Sequence, residues 1–163
     1  KIDVEEILKI HEPISRNLMV DAKAMPGAKD LILWCNSHKL PMALVTSSSS
    51  SSVDFKSTSN SWLKLIKTRV YGDDISLKRG KPAPDPYILA AEKLSTNPMS
   101  CWAVEDSYSG TKSASLAGCQ VWVLDPEHNL EMKKIPTEKL SKPQPIKSLK
   151  EFLSELKNSK DNN

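Results

Sequence analysis

Three groups of polar residues in this chain could do chemistry together. Lys81 lies in the segment Gly-Lys-Pro-Ala-Pro-Asp-Pro, whose prolines stiffen the loop before a predicted helix. Glu105 and Asp106 are adjacent carboxylates at the end of a short apolar run, and Thr46 and Ser47 follow another such run. A cation, a carboxylate pair and a hydroxyl group suit a site that holds Mg²⁺ and a phosphoryl group.

Each of these positions also has a plainer interpretation. Lys81 could be an exposed surface lysine, and Glu105 with Asp106 could be a helix N-cap beside a solvated carboxylate. Two adjacent carboxylates repel each other unless a cation lies beside them, and oxygen ligands favour Mg²⁺ over zinc. The pattern therefore favours a metal site, with Asp106 as the stronger candidate ligand and Glu105 as the weaker one.

The serine run that begins at Ser47 is open to two interpretations. Six successive serines, residues 47–52, are typical of a flexible linker when considered alone. Here they stand between an apolar strand and a plausible helix, where the Thr46 hydroxyl and successive backbone N–H groups can surround an anion. We therefore expect Thr46 and Ser47 to bind phosphate.

The elements that must position these residues alternate along the sequence. Helices are predicted at 28–38, 53–66, 85–94, 109–117 and 149–156, and strands at 42–45, 69–71, 101–105 and 121–124. Asp85 is expected to cap the helix that follows it, with Pro86 at the first helical position. The alternation predicts an α/β fold with a doubly wound parallel sheet. Ligands bind such sheets at the carboxyl ends of the strands, which places Thr46, Glu105 and Asp106 at one edge with Lys81 nearby.

Composition limits the partners that the chain can have. With 163 residues and a net charge of +3 from scattered lysines, it gives no reason to expect nucleic acid as a partner. No apolar run is long enough to cross a membrane, and no signal peptide is visible. The three cysteines are odd in number and lack metal-ligand spacing, which favours free thiols in a reducing compartment. We expect a cytoplasmic monomer.

These motifs together resemble the haloacid dehalogenase (HAD) superfamily of phosphohydrolases and phosphomutases. In that family a strand ends in Ser or Thr, as at residues 42–46, and a lysine precedes a helix as G-K-P-x-P-D, as at 80–85. An acidic pair ends a further strand, as at 104–107, and Met-Pro-Gly at 25–27 resembles the return from an inserted cap domain. Residues 46–48, 53–56 and 71–74 are most similar to the branch that contains β-phosphoglucomutases and pseudouridine-5′-phosphatase-like enzymes.

The resemblance implies a covalent mechanism on a small phosphate ester. In the family an aspartate attacks phosphorus, a second aspartate two residues on protonates the leaving group and later activates water, and Mg²⁺ bridges the reacting oxygens. Carried onto this sequence, the resemblance implies that Thr46 and Lys81 are catalytic. Ser47 helps them to bind phosphate, and Asp106 holds Mg²⁺ with help from Glu105.

The family's first motif, a strand that ends in D-x-D, has no match in this sequence. The resemblance places that strand between the strands that end at Thr46 and Asp106. We therefore predict a remnant of a helical cap at residues 1–24, an HAD-like core without its first strand at 25–157, and a disordered tail at 158–163. The nucleophile would lie outside this chain, which should be inactive alone. A β-phosphoglucomutase-like phosphomutase and a catalytically inactive HAD-like binding protein remain the alternatives to a phosphatase.

Overall fold

Helices and strands alternate along the chain in the computed structural model, which describes residues 3, 6, 7, 10, 14, 23–125 and 142–161. Their bounds are α1 (Ala28–Ser37), β1 (Ala43–Val45), α2 (Ser50–Ser59), β2 (Thr68–Val70), α3 (Asp85–Lys93), β3 (Trp102–Glu105), α4 (Tyr108–Ala117), β4 (Gln120–Leu124), β5 (Gln144–Ile146) and α5 (Leu149–Asp161). Among the described helices, none combines the length and the apolar character that a membrane crossing requires.

The strands form two parallel sheets. β1 pairs with β2, and β3, β4 and β5 pair in that order. In the first sheet Val45 lies opposite Val70, and in the second Glu105 lies opposite Val123. The α/β fold with parallel strands is confirmed. Within the described part of the chain, β1 and β3 each pair on one side only, and they are not paired with each other.

Two apolar layers cover the two faces of the sheets. One contains Leu31 of α1, Trp122 of β4 and Phe152 of α5, and the other contains Val121 and Val123 of β4. Successive residues of β4 thus enter opposite layers, as the two-residue period of a strand requires. Both layers extend to the β1 segment, because Met42 packs against the first and Val45 against the second. The two sheets therefore share one core.

Helix α3 begins differently from its prediction. Asp85 is its first residue, not its cap, and the position before it is Pro84. The Asp85 carboxylate accepts hydrogen bonds from Arg79 Nε at 3.3 Å and Nη2 at 3.0 Å. The carboxylate is thus paired with the Arg79 guanidinium, and no side chain among the described residues caps the first amides of the helix. The expected N-cap role of Asp85 is therefore wrong.

The C-terminal region contains two further differences. Strand β5 was not predicted. Its central residue, Pro145, argues against a strand, but among the described strands β5 lies at a sheet edge, where proline is tolerated. Helix α5 continues to Asp161, over positions where a disordered tail was predicted. Near its end, the Lys160 ammonium lies 6.0 Å from the ring centroid of Trp34, and a lysine in the last turn suits the helix dipole.

The predicted cap remnant lies mostly outside the described residues. Of its first 22 positions only five are described, and Glu6, Ile7, Ile10 and Ile14 among them have helical backbone. The chain then enters the core through Gly27, whose φ of 86° is in the left-handed region that glycine adopts readily.

Candidate active site

A cavity of about 570 Å³ opens at the carboxyl ends of β1 and β3. All of the site residues predicted from the sequence line it: Thr46, Ser47, Lys81, Glu105 and Asp106. Residues from three separate segments meet here because parallel strands end at the same edge of the fold.

Lys81 is held against the wall of this cavity. Its side chain is only 9% exposed, and its Nζ forms an ion pair with Glu105. The same Nζ donates a hydrogen bond to the backbone oxygen of Val45 at 3.1 Å. An ammonium group has three N–H donors. Two are used by these described partners, so the third is available to an oxygen of a ligand in the cavity.

Glu105 lies inside the protein, although Asp106 beside it is exposed. Its Oε1 accepts from Lys81 and also from the Tyr87 hydroxyl, and its Oε2 lies 3.4 Å from the Ser107 hydroxyl. Gly110 at the start of α4 leaves room for this carboxylate, because a β-carbon there would lie closer than 3.0 Å to it. Glu105 therefore anchors Lys81, and its role as a metal ligand stays a prediction.

Asp106 is exposed and lines the cavity, so its carboxylate can reach a cation there. Among the described residues, no group of three or more His, Cys, Asp and Glu side chains could hold a metal ion. The donors present are hard oxygens, which fit Mg²⁺, an ion that is usually bound through one or two carboxylates plus water and phosphate oxygens. The donor set is thus compatible with Mg²⁺ at Asp106.

The loop between β1 and α2 carries the expected phosphate-binding residues. Thr46 Oγ1 accepts from the Ser48 amide at 3.0 Å, which leaves its hydroxyl hydrogen free to donate. Ser49 caps α2 by accepting from the Ser52 amide at 3.4 Å. The run that resembled a linker is therefore ordered as a cap and the first turn of a helix, and Ser47 lies beside Thr46 at the cavity.

The acidic turn after β2 fixes this loop from the other side. Asp73 accepts from the Ser50 amide at 2.8 Å and from the Ser50 hydroxyl at 2.9 Å. The hydrogen bond from the Ser50 amide, followed by the one from its hydroxyl, lowers the pKa of Asp73. At Gly72 a β-carbon would lie closer than 3.0 Å to the backbone oxygen of Ser47. The sequence pattern favours a solvated turn here and does not indicate these contacts, which join residues 23 positions apart.

Tyr87 could not be identified from the sequence either. It lies on the buried face of α3 and belongs to the same apolar cluster as Ala103 and Val121, so its position in the sequence indicates only a packed aromatic residue. Burial, and then the charge of Glu105, raise the pKa of Tyr87 well above its usual value. The general need of a buried tyrosine hydroxyl for a hydrogen-bond partner is the one signal that could have suggested a polar contact.

Comparisons with known proteins identify the family of this chain. Residues 1–124 match the family model of haloacid dehalogenase-like hydrolases. The chain is 34% identical over 134 residues to a probable pseudouridine-5′-phosphatase of Drosophila melanogaster, covering 80% of this chain and 58% of that protein. It is 33% identical over 119 residues to a bifunctional riboflavin kinase/FMN phosphatase of Arabidopsis thaliana, covering 72% and 31%.

A solved structure of the same family has a similar fold. The crystal structure of an HAD hydrolase, family IA, variant 3, from Entamoeba histolytica matches with a TM-score of 0.72 at 28% identity, covering 92% of this chain and 68% of that one. The chain spans less than two thirds of the length of the two curated relatives named above. The family match, the parallel α/β fold and the motifs that meet at the cavity agree, and the chain belongs to the haloacid dehalogenase-like hydrolases.

Proposed function

We propose that the complete protein is a Mg²⁺-dependent phosphohydrolase. Its substrate would be a small phosphorylated metabolite, such as a sugar or nucleoside phosphate, and its intermediate an aspartyl-phosphate. The observation that carries the proposal is the convergence of Lys81, Thr46 and Asp106 on one cavity at the carboxyl ends of β1 and β3. A cation, a hydroxyl donor and an exposed carboxylate at one place suit a phosphoryl group and its metal ion.

Each residue has a defined part in this proposal. The Thr46 hydroxyl and the Ser47 amide donate to phosphoryl oxygens, and the third N–H of Lys81 neutralises the charge that develops on them. Asp106 would hold Mg²⁺, and Glu105, which also lines the cavity, would be the second ligand. Mg²⁺ bound there would neutralise charge on the phosphoryl oxygens and on the nucleophile.

Within the described residues β1 and β3 each leave one edge unpaired, which favours a nucleophile that a further strand carries. Val45 of β1 and Val104 of β3 line the same cavity, and the shared core holds their strands on either side of it. An unpaired edge offers backbone N–H and C=O groups to a further strand. We propose that such a strand lies between β1 and β3 and ends in the nucleophilic aspartate beside Lys81.

The proposed reaction then balances in two steps. A carboxylate oxygen of the nucleophile attacks phosphorus, the ester P–O bond breaks, and a second aspartic acid on that strand gives its proton to the leaving oxygen. This second aspartate, now ionised, next takes a proton from water, and the water oxygen attacks phosphorus. The bond between phosphorus and the nucleophile breaks, which releases inorganic phosphate and the free nucleophilic aspartate. Lys81 and Thr46 hold the phosphoryl oxygens in both steps.

The experiment is a comparison of single variants in the complete protein with p-nitrophenyl phosphate as substrate. Turnover should require Mg²⁺ and should fall by about a hundredfold or more in Lys81→Ala and Asp106→Asn. Lys78→Ala removes an exposed lysine of the same loop and should leave turnover unchanged. The 163-residue chain alone should give no turnover. Absence of Mg²⁺-dependent turnover in the complete protein would contradict the proposal and favour an inactive binding protein. Full turnover in Asp106→Asn would contradict the metal-binding role of Asp106.

A further inference from the structure

The hydroxyl of Tyr87 meets the same carboxylate oxygen as Lys81. It donates to Glu105 Oε1, which also accepts from Lys81 Nζ. The ring of the same tyrosine lies beside the cation, with Lys81 Nζ 5.3 Å from the ring centroid. One side chain of α3 therefore contacts both members of the ion pair, through its hydroxyl on one and its aromatic face on the other.

All three side chains are removed from solvent. Tyr87 is 8% exposed and Glu105 is 7% exposed, and the side chain of Lys81 is 9% exposed. A buried ion pair is stable only when its remaining polar atoms are also hydrogen-bonded. Tyr87 supplies one such bond to Glu105, and the backbone oxygen of Val45 accepts another from Lys81.

Packing alone does not require the hydroxyl. The residues that share a cluster with Tyr87 are apolar, among them Ala103, Val121 and Val123. A phenylalanine would fill the same space and would keep the aromatic face beside Lys81. Among the described residues the hydroxyl contacts Glu105, so removal of that single group separates positioning from packing.

We propose that Tyr87 is a positioning residue, which holds Glu105 and Lys81 so that the remaining N–H of Lys81 reaches the phosphoryl group. The inference rests on the proposed function, because it assigns Tyr87 a part in the same site. Tyr87 does not touch the substrate; it acts through Lys81. Loss of the Tyr87 hydroxyl should therefore lower kcat more than it raises KM. The negative charge on the phosphoryl oxygens, which Lys81 stabilises, is greatest in the transition state.

The first test is a double-mutant cycle in the complete protein. Tyr87→Phe should lower kcat about tenfold, because the lost bond is one to a charged group. Tyr71→Phe is the matched control: it removes a hydroxyl that Arg69 Nη1 contacts at 3.4 Å, and it should leave kcat unchanged. In a Lys81→Met background Tyr87→Phe should have no further effect on kcat. A Tyr87→Phe enzyme as active as the control, or a tenfold loss that persists without Lys81, would overturn the inference.

A second measurement does not depend on turnover. The complete protein is labelled with a trace of acetic anhydride, and the acetylation of Lys81 is compared with that of exposed Lys78 by peptide mass spectrometry. Tyr87→Phe should raise the relative labelling of Lys81 severalfold, and Tyr71→Phe should not. Equal labelling in both variants would overturn the inference. If the complete protein shows no Mg²⁺-dependent turnover, the proposed function fails, and this labelling still decides whether Tyr87 holds Lys81.

Discussion

Two acidic pairs lie at or just after the ends of β2 and β3, which belong to different sheets, and they differ in what their carboxylates contact. After β2, Asp73 accepts from the amide and hydroxyl of Ser50. Asp74 accepts from Lys93 Nζ at 2.5 Å and from the Ser76 amide at 3.0 Å. Both carboxylates of this pair are therefore used to hold protein groups in place.

At the end of β3 the two carboxylates of the pair have different surroundings. Glu105 is buried with Lys81 and Tyr87, whereas Asp106 is exposed at the cavity and forms no ion pair within the described part of the chain. Neighbouring residues of an extended strand point in opposite directions, which explains the separation. We therefore expect a metal ion at the second pair, where Asp106 is exposed at the cavity, and not at the first, where both carboxylates accept from protein donors.

The largest difference between the pairs should appear in catalysis. Asp106→Asn should lower kcat/KM of the complete protein by about a hundredfold or more, because bound metal stabilises the transition state by several kcal/mol. Asp74→Asn makes the same chemical change in the other pair and should leave kcat/KM within about twofold of the wild type, since Asp74 contacts Lys93 and not the cavity. Steady-state kinetics over a range of Mg²⁺ concentrations measures both. Equal losses of kcat/KM in the two variants would contradict the proposed difference between the two acidic pairs.

The burial of Glu105 can be tested through Gly110. Alanine normally stabilises a helix relative to glycine, but here its methyl group would meet the Glu105 carboxylate at less than 3.0 Å. Gly110→Ala should therefore lower the free energy of unfolding by about 1–3 kcal/mol. Gly80→Ala is the control, because nothing lies within 4 Å of a β-carbon there. Urea unfolding of both variants is the measurement, and a stabilised Gly110→Ala would show that Glu105 lies elsewhere.

The smallest effect concerns acid stability. Hydrogen bonds from Ser50 lower the pKa of Asp73, and the hydrogen bond from Lys93 lowers the pKa of Asp74. A carboxyl group with a lowered pKa in the folded state stabilises the fold above its unfolded pKa of about 3.9, and this contribution disappears as pH falls through the folded value. The double variant Asp73→Asn, Asp74→Asn should therefore lose less stability between pH 5 and pH 3, as measured by urea midpoints. Parallel curves for the variant and the wild type would argue against both contacts.

Much of the fold could be predicted from local patterns. Apolar runs located β1, β3 and β4 to within about one residue, because a buried parallel strand is a short continuous apolar segment. The common edge of Thr46, Lys81 and Asp106 followed from the rule that ligands bind at the carboxyl ends of parallel strands. The family motifs then pointed to the same residues.

The contacts that distinguish the two acidic pairs could not be predicted in this way. Asp73 meets Ser50 across 23 positions, and Tyr87 meets Glu105 across 18. Such pairs depend on how α2 and α3 pack beside the strands, and no local pattern encodes that. Asp85 shows the same difficulty at short range, because a cap and an Arg79 partner are both compatible with its position.

The proposed chemistry depends above all on a nucleophile that lies on a further strand and completes this site. Intact mass and N-terminal sequence of the protein isolated from its natural source test this requirement without any assumption about the substrate. We predict a mass well above that of 163 residues, with an apolar segment that ends in D-x-D ahead of Lys1. A mass equal to that of these 163 residues, together with Mg²⁺-dependent phosphatase activity, would contradict the requirement for a further strand.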